Sequence, residues 1–207
     1  LVGKSSTRTL PGFFNRSIHA PVKRFISPNF LPTADNKRAN LTKSFAYNLL
    51  RLPKYLRSMY YINQRIRETG AEVVINFYEL LTGLTYALFR PSVPYICVGH
   101  QYLFLHRDFE FPDKNSCQLW MLRFFTRMTA LRSSKKLALS FLEMEQDDMN
   151  QIVTVPPLIR QEVTAIRPEK GDYIHGYMVN SGFADSVESF HAKHPEVPLT
   201  FFWDRSD

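Results

Sequence analysis

Three short stretches carry the side chains best suited to chemistry. NFYE (76 to 79) supplies Asn76, Tyr78 and Glu79. GHQ (99 to 101) supplies His100 and Gln101, and His106 follows nearby. NSG (180 to 182) supplies Asn180, Ser181 and Gly182. A histidine at neutral pH can act as a general base or bond a hydroxyl, and a carboxylate can do the same. A capping or purely structural histidine is the equal alternative. The NSG turn stands between a strand pattern and a helix start. Its backbone N–H groups suit a phosphate, or it is a plain turn with Asn180 or Ser181 as N-cap.

Metal chemistry fits less well. In an extended strand Cys97 and His100 point to opposite sides, and His100 to His106 is no zinc spacing. His106, Asp108 and Glu110 alternate, and their segment reads as a loop. The carboxylates of EMEQDD (143 to 148) read as a solvated loop rather than a magnesium site.

The elements that must position these groups can be read from periodicity. Residues 42 to 68 carry Phe45, Leu49, Leu52, Leu56, Tyr60 and Ile66 at helical spacing, with Pro53 expected to break or kink the helix and Gly70 to stop it. EVVINF (72 to 77), PYICVG (94 to 99) and KKLALSF (135 to 141) are short apolar runs, expected as buried strands. Helices are expected between them, over 78 to 89 and 117 to 131. Continuous apolar strands alternating with helices predict a parallel sheet covered on both faces. In such sheets ligands bind beyond the carboxyl ends of the strands, where Asn76, Tyr78, Glu79, His100, Gln101 and Ser140 would converge. After Pro156-Pro157 the pattern restarts: a strand in DYIHGYMV (172 to 179), the NSGF turn, a helix, and a strand in PLTFFW. This reads as a second domain of the same class.

Composition bounds the rest. No apolar run is long enough for a spanning helix, and no signal peptide is visible at the start. Cys97 and Cys117 do not make a disulfide framework, so a reducing compartment with free thiols is expected. The ends read as those of a piece of a longer polypeptide. The formal net charge is +7. That excess lies in residues 1 to 43, which also hold Pro11, Pro21, Pro28, Pro32, Phe13, Phe14, Phe25 and Phe30. A basic, aromatic segment can meet a phosphate-bearing ligand, an anionic membrane or nucleic acid, or be a solvated loop.

The runs INFYELLTGL (75 to 84), PYICVGHQYLFLH (94 to 106), ALSF (138 to 141) and VPPLIR (155 to 160), in that order, resemble bacterial family-1-type glycosyltransferases of the GT-B fold. GHQYL followed by PPLIR is the most specific part. The resemblance implies an α/β protein with two Rossmann-like, doubly wound parallel-sheet domains, both incomplete here. Residues 1–154 would form the acceptor-side domain without its first βα unit, 155–160 the linker, and 161–207 the start of the donor domain. It implies metal-independent hexosyl transfer from a nucleotide-diphosphate sugar, a UDP-sugar first among them, to an acceptor hydroxyl in the cleft between the domains. The donor is a substrate and no cofactor is expected. His100 is the first choice for the base and Glu79 the second. Asn76, Tyr78, Gln101 and His106 would contact the acceptor, and Asn180, Ser181 and Gly182 the donor diphosphate. The partners implied are that donor and an unknown acceptor, lipid-linked or phosphate-bearing acceptors included. The setting implied is cytoplasmic, with contact at the inner face of the membrane an open alternative.

Two other classes fit parts of this pattern. One is a non-enzymatic anion-binding module using the basic N-terminal segment, although no nucleic-acid motif is present. The other is a sugar-nucleotide epimerase, which can share the GT-B fold and would turn over a nucleotide sugar with no acceptor.

Overall fold

The computed structural model describes residues 2–4, 21–34, 37, 40–111, 117–178 and 181–203, with the backbone alone at 2–4, 41 and 181. The remaining residues, among them Arg8, Phe13, Phe14, Arg16 and Asn180, lie outside that set. In chain order the strands are β1 (Val2–Lys4), β2 (Arg24–Ile26), β3 (Val74–Asn76), β4 (Tyr95–Val98), β5 (Lys135–Leu139), β6 (Ile152–Val155), β7 (Ile174–Tyr177) and β8 (Leu199–Phe202). The α-helices are α1 (Leu41–Leu49), α2 (Leu52–Glu68), α3 (Leu80–Phe89), α4 (Cys117–Thr129), α5 (Gln161–Thr164) and α6 (Ala184–Lys193). Two 3-10 helices, His100–Leu105 and Ser181–Phe183, follow β4 and β7. The chain forms two compact units, one of residues 1–28 and 50–158, the other of 29–49 and 159–207.

In the first unit β3, β4, β5 and β6 form a parallel sheet in that order. The strands β1 and β2 form a separate parallel pair. The three expected apolar runs are β3, β4 and β5. The fourth strand, β6, lies where Pro156-Pro157 suggests only a linker. It takes in the residues just before the prolines, and Val155 pairs with Leu139 as its last member.

One expected helix over 42 to 68 is two, because Pro53 sits in the first turn of α2 instead of interrupting a longer helix. Its missing N–H falls where a helix start has no acceptor to lose. The buried face of α2 is Tyr55, Met59, Ile62 and Ile66. Of the stripe read from the sequence only Ile66 is buried; Phe45, Leu49, Leu52, Leu56 and Tyr60 are exposed. At Tyr55 and Met59 the buried residue stands one place before the one the stripe selects.

Helix α3 packs against both α2 and α4. On the opposite side of the β3 alternation, Val73, Ile75 and Phe77 are exposed. That face is open at the edge strand β3 and covered at β4, where Val98 is buried. The close approach of α3 to α4 depends on Gly83. A Cβ there would stand 2.2 Å from the Met128 carbonyl oxygen and 2.7 Å from that of Thr129.

In the second unit β7 and β8 pair in parallel around α6, which reproduces the expected strand, turn, helix and strand. Asn40 caps α1 by accepting the Lys43 N–H at 3.0 Å, and the Lys37 ammonium lies over the Phe183 ring, 5.4 Å from its centroid.

Candidate functional site

The register of β3 against β4 sets the site. Asn76 is the Cα partner of Cys97, so Glu79 and His100 each stand three residues beyond that pair, at the carboxyl ends of neighbouring parallel strands. His100 opens the 3-10 helix after β4 and is exposed. Gln101 beside it is half-buried, its carboxamide oxygen 2.9 Å from where a Cβ on Gly99 would lie.

The turn between β3 and α3 is built by its own side chains. Asn76 is buried; its Nδ2 donates to the carbonyls of Thr129 at 2.9 Å and Glu79 at 3.2 Å. Its Oδ1 accepts the Glu79 N–H at 2.9 Å. This clamps a turn in which Tyr78 has a φ of 59°, a left-handed conformation uncommon for a residue with a Cβ. Tyr78 then aims its hydroxyl inward, 2.8 Å from Thr126 Oγ1. The Thr126 proton is already given to the Leu122 carbonyl at 2.8 Å, so Tyr78 is the donor. Tyr102 matches it with Thr129, at 3.1 Å, whose own proton goes to the Thr126 carbonyl. Burial raises the Tyr78 phenol.

Glu79 is the group this turn presents. It caps α3, its Oε1 accepting the Leu81 N–H at 3.1 Å and the Ser27 hydroxyl at 2.7 Å. Burial pushes its carboxyl above the usual range, and the bonds from Leu81, Ser27 and Leu80 only partly counter that. Glu79 also lines a cleft of about 470 Å³ between β2 and β3, with Lys23, Phe25 and Arg65 on its walls. Two cations and a carboxyl of raised proton affinity in one cleft suit a polar, negatively charged ligand.

The other expected site residues have different tasks. His106 is buried; its Nε2 donates to the Glu145 carbonyl at 2.9 Å, and its Nδ1 accepts the Asp108 N–H at 3.2 Å. Both ring nitrogens thus serve the backbone, a structural role in place of the expected acceptor contact. Asn76 and Tyr78 likewise spend their hydrogen bonds inside the fold. The EMEQDD stretch is not wholly a solvated loop either, because Asp147 is buried within it. Its carboxylate accepts the Asn150 carboxamide at 2.6 Å and the Arg107 N–H at 2.9 Å. Burial works against the ionised form, but these bonds hold the carboxyl below the usual range. Among the described residues no cluster of histidine, cysteine, aspartate or glutamate could hold a metal.

In the second unit Asn180 lies outside the described residues, and Ser181 and Gly182 open the short 3-10 helix before α6. The first turn of α6 carries Asp185, whose charge already complements the helix dipole. Ser27, Lys23 and Arg65 were not singled out from sequence. Ser27 and Lys23 lie in the basic segment, which the sequence leaves open between an anion contact and a solvated loop.

Glu79 and His100 thus follow neighbouring strands at the carboxyl edge of a parallel sheet in an α/β unit. The model of the family described as glycosyl transferase family 1 matches residues 27–200 of the chain. The chain belongs to glycosyltransferase family 1. No curated protein and no solved structure matches it significantly.

Proposed function

We propose that this glycosyltransferase moves a sugar from a nucleoside-diphosphate donor, a UDP-sugar first among candidates, to an acceptor hydroxyl. The observation behind this reading is that Glu79 and His100 each follow the paired residues Asn76 and Cys97 by three positions, past the carboxyl ends of adjacent parallel strands. The acceptor oxygen attacks the anomeric carbon, its proton passes to the base, and the bond to the donor diphosphate breaks, releasing the nucleoside diphosphate. His100 is exposed and is assigned as the base; Glu79, with its raised carboxyl, is the second acid–base group. Lys23 and Arg65 supply positive charge to the acceptor or the departing phosphate, and no metal is needed in this scheme. The turn at 180 to 182 is the donor-side element, with Asp185 setting how closely a phosphate approaches it.

The test is release of UDP from UDP-sugars by the full polypeptide, with and without candidate acceptors. His100→Ala should lower turnover by about a hundredfold or more. A loss within a few-fold would remove His100 as the base. Turnover of the nucleotide sugar to its epimer, with no acceptor, would replace transfer by epimerisation.

A further inference from the structure

The cleft beside β3 is lined from Ala71 to Glu79, so it runs the length of that strand. At one end Ser27, just past β2, donates to Glu79 Oε1 at 2.7 Å, past the carboxyl end of β3. Ser58 of α2 stands at that end too, its Oγ accepting the Ile26 N–H at 3.2 Å. The cations of the cleft stand at the other end. Lys23 precedes Ser27 by four residues, about 13 Å of extended chain. Arg65 follows Ser58 by seven residues of α2, two turns or about 10 Å, on the way to Gly70 and the start of β3. Both line the cleft with Thr69 and Ala71.

Between these ends the walls are apolar. Phe25, Ile62 and Ile66 are buried, while Ile75 and Phe77, on the open face of β3, are 56% and 64% exposed. An elongated ligand with an apolar body would cover that surface. Arg65 also meets Glu68 at 2.8 Å, an exposed pair that is worth little and opens readily to a ligand. A departing diphosphate carries its charge next to the reacting carbon. Cations a strand length from Glu79 are placed instead for a charge remote from the reacting end.

Resting on the glycosyl-transfer reading, we propose that this cleft selects an acceptor that is an elongated amphiphilic acid. Its anionic end lies at Lys23 and Arg65, its apolar body along Phe25, Ile75 and Phe77, and its hydroxyl at the Glu79 rim. There the hydroxyl oxygen bonds the anomeric carbon, the bond from that carbon to the donor diphosphate breaks, and the proton goes to His100. Lys23 and Arg65 determine specificity without touching the reacting atoms.

The experiment is calorimetric titration of the full chain with ω-hydroxydecanoate, ω-hydroxydecyl phosphate and the neutral α,ω-decanediol. Both anions should bind at least about tenfold more tightly than the diol, with the preference shrinking as salt rises. The better-held anion tells a carboxylate acceptor from a phosphate one. Lys23→Gln/Arg65→Gln should bring both anions down to the affinity of the diol, and Ile75→Asn should weaken all three about alike. Lys23 and Ile75 are exposed and Arg65 is half-buried, so each variant should fold, which circular dichroism checks. Affinity without regard to charge, an anion preference that survives the double variant, or no binding of any of the three overturns the proposal. UDP release separates this outcome from failure of the wider reading. Release from UDP-sugars on addition of an unrelated acceptor, with none of the three bound, sinks the cleft assignment alone. Binding as expected with no release from any UDP-sugar overturns transfer itself, and with it the role of the bound acid as acceptor.

Discussion

The hydroxyl of Ser27 donates to Glu79 Oε1 at 2.7 Å, joining the end of β2 to the first turn of α3 across 52 residues of sequence. This bond favours the ionised carboxylate, while burial, the larger effect, favours the protonated acid. The proton affinity of Glu79 is therefore set jointly by how deeply the turn sinks it and by a strand that arrives from elsewhere in the chain.

Ser27→Ala should raise the Glu79 carboxyl further, because a bond opposing burial is lost. If Glu79 must be ionised in turnover, the acid limb of kcat/KM moves to higher pH. An unmoved limb would detach Glu79 from the chemistry. The same group has a stability signature. Its folded-state pKa lies above the unfolded value, so ionisation destabilises the fold as pH rises from about 4.3. Glu79→Gln keeps an oxygen for Ser27 and Leu81 without the charge. Thermal melts should show it at least as stable as wild type at neutral pH, with that advantage gone in acid.

Gly83→Ala tests the helix contact. In an open helix the change would stabilise by up to about 1 kcal/mol. Here the new methyl meets the backbone carbonyls of Met128 and Thr129, which no rotamer change can move. Overpacking of this kind costs about 1–3 kcal/mol, so the clash should win and the melting temperature fall. A rise would mean that the helices part easily.

Asn76→Ala should leave the Glu79 N–H and the Thr129 carbonyl without a buried partner. A loss of about 2–3 kcal/mol is expected in denaturant melts. Turnover per folded molecule should fall as well, because the clamp that presents Glu79 is gone. Stability lost with turnover intact would limit Asn76 to packing.

Asp147→Asn should show a pH-dependent deficit. The depressed carboxyl of Asp147 stabilises the fold above its unfolded pKa of about 3.9, and this is lost as pH falls through the lower folded value. The variant also sets an amide where a carboxylate accepts donors from Asn150 and Arg107. The gap in melting temperature should be wide at neutral pH and narrow in strong acid. A gap constant with pH would show that shape, not charge, matters there.

How much of this could be read in the sequence depended on the range of the interaction. The strands β3, β4 and β5 were legible because each is a short β-branched or apolar run ended by a turn residue. The rim position of Glu79 and His100 followed from those ends. The roles of Asn76, Tyr78 and His106 did not, since their partners Thr129, Thr126 and Glu145 lie 53, 48 and 39 residues away. A polar side chain near a strand end looks the same in sequence whether it faces a ligand or the interior. The strand β6 was hidden by the prolines after it, whose effect begins only once its last ladder bond is made. Asp147 was hidden among acidic neighbours that are indeed exposed.

Helix α4, which buries Thr126 and Thr129 and exposes Trp120 and Phe124, has a practical side for anyone engineering this protein. Helices are commonly made more soluble by replacing outward apolar residues and leaving inward ones alone. On α4 that recipe spares the fully buried residues, because Trp120, Met121 and Phe124 are exposed. The hazardous exchange is the one that looks conservative. Thr129→Val, near in shape and routine in most cores, would remove the oxygen that accepts the buried Tyr102 hydroxyl.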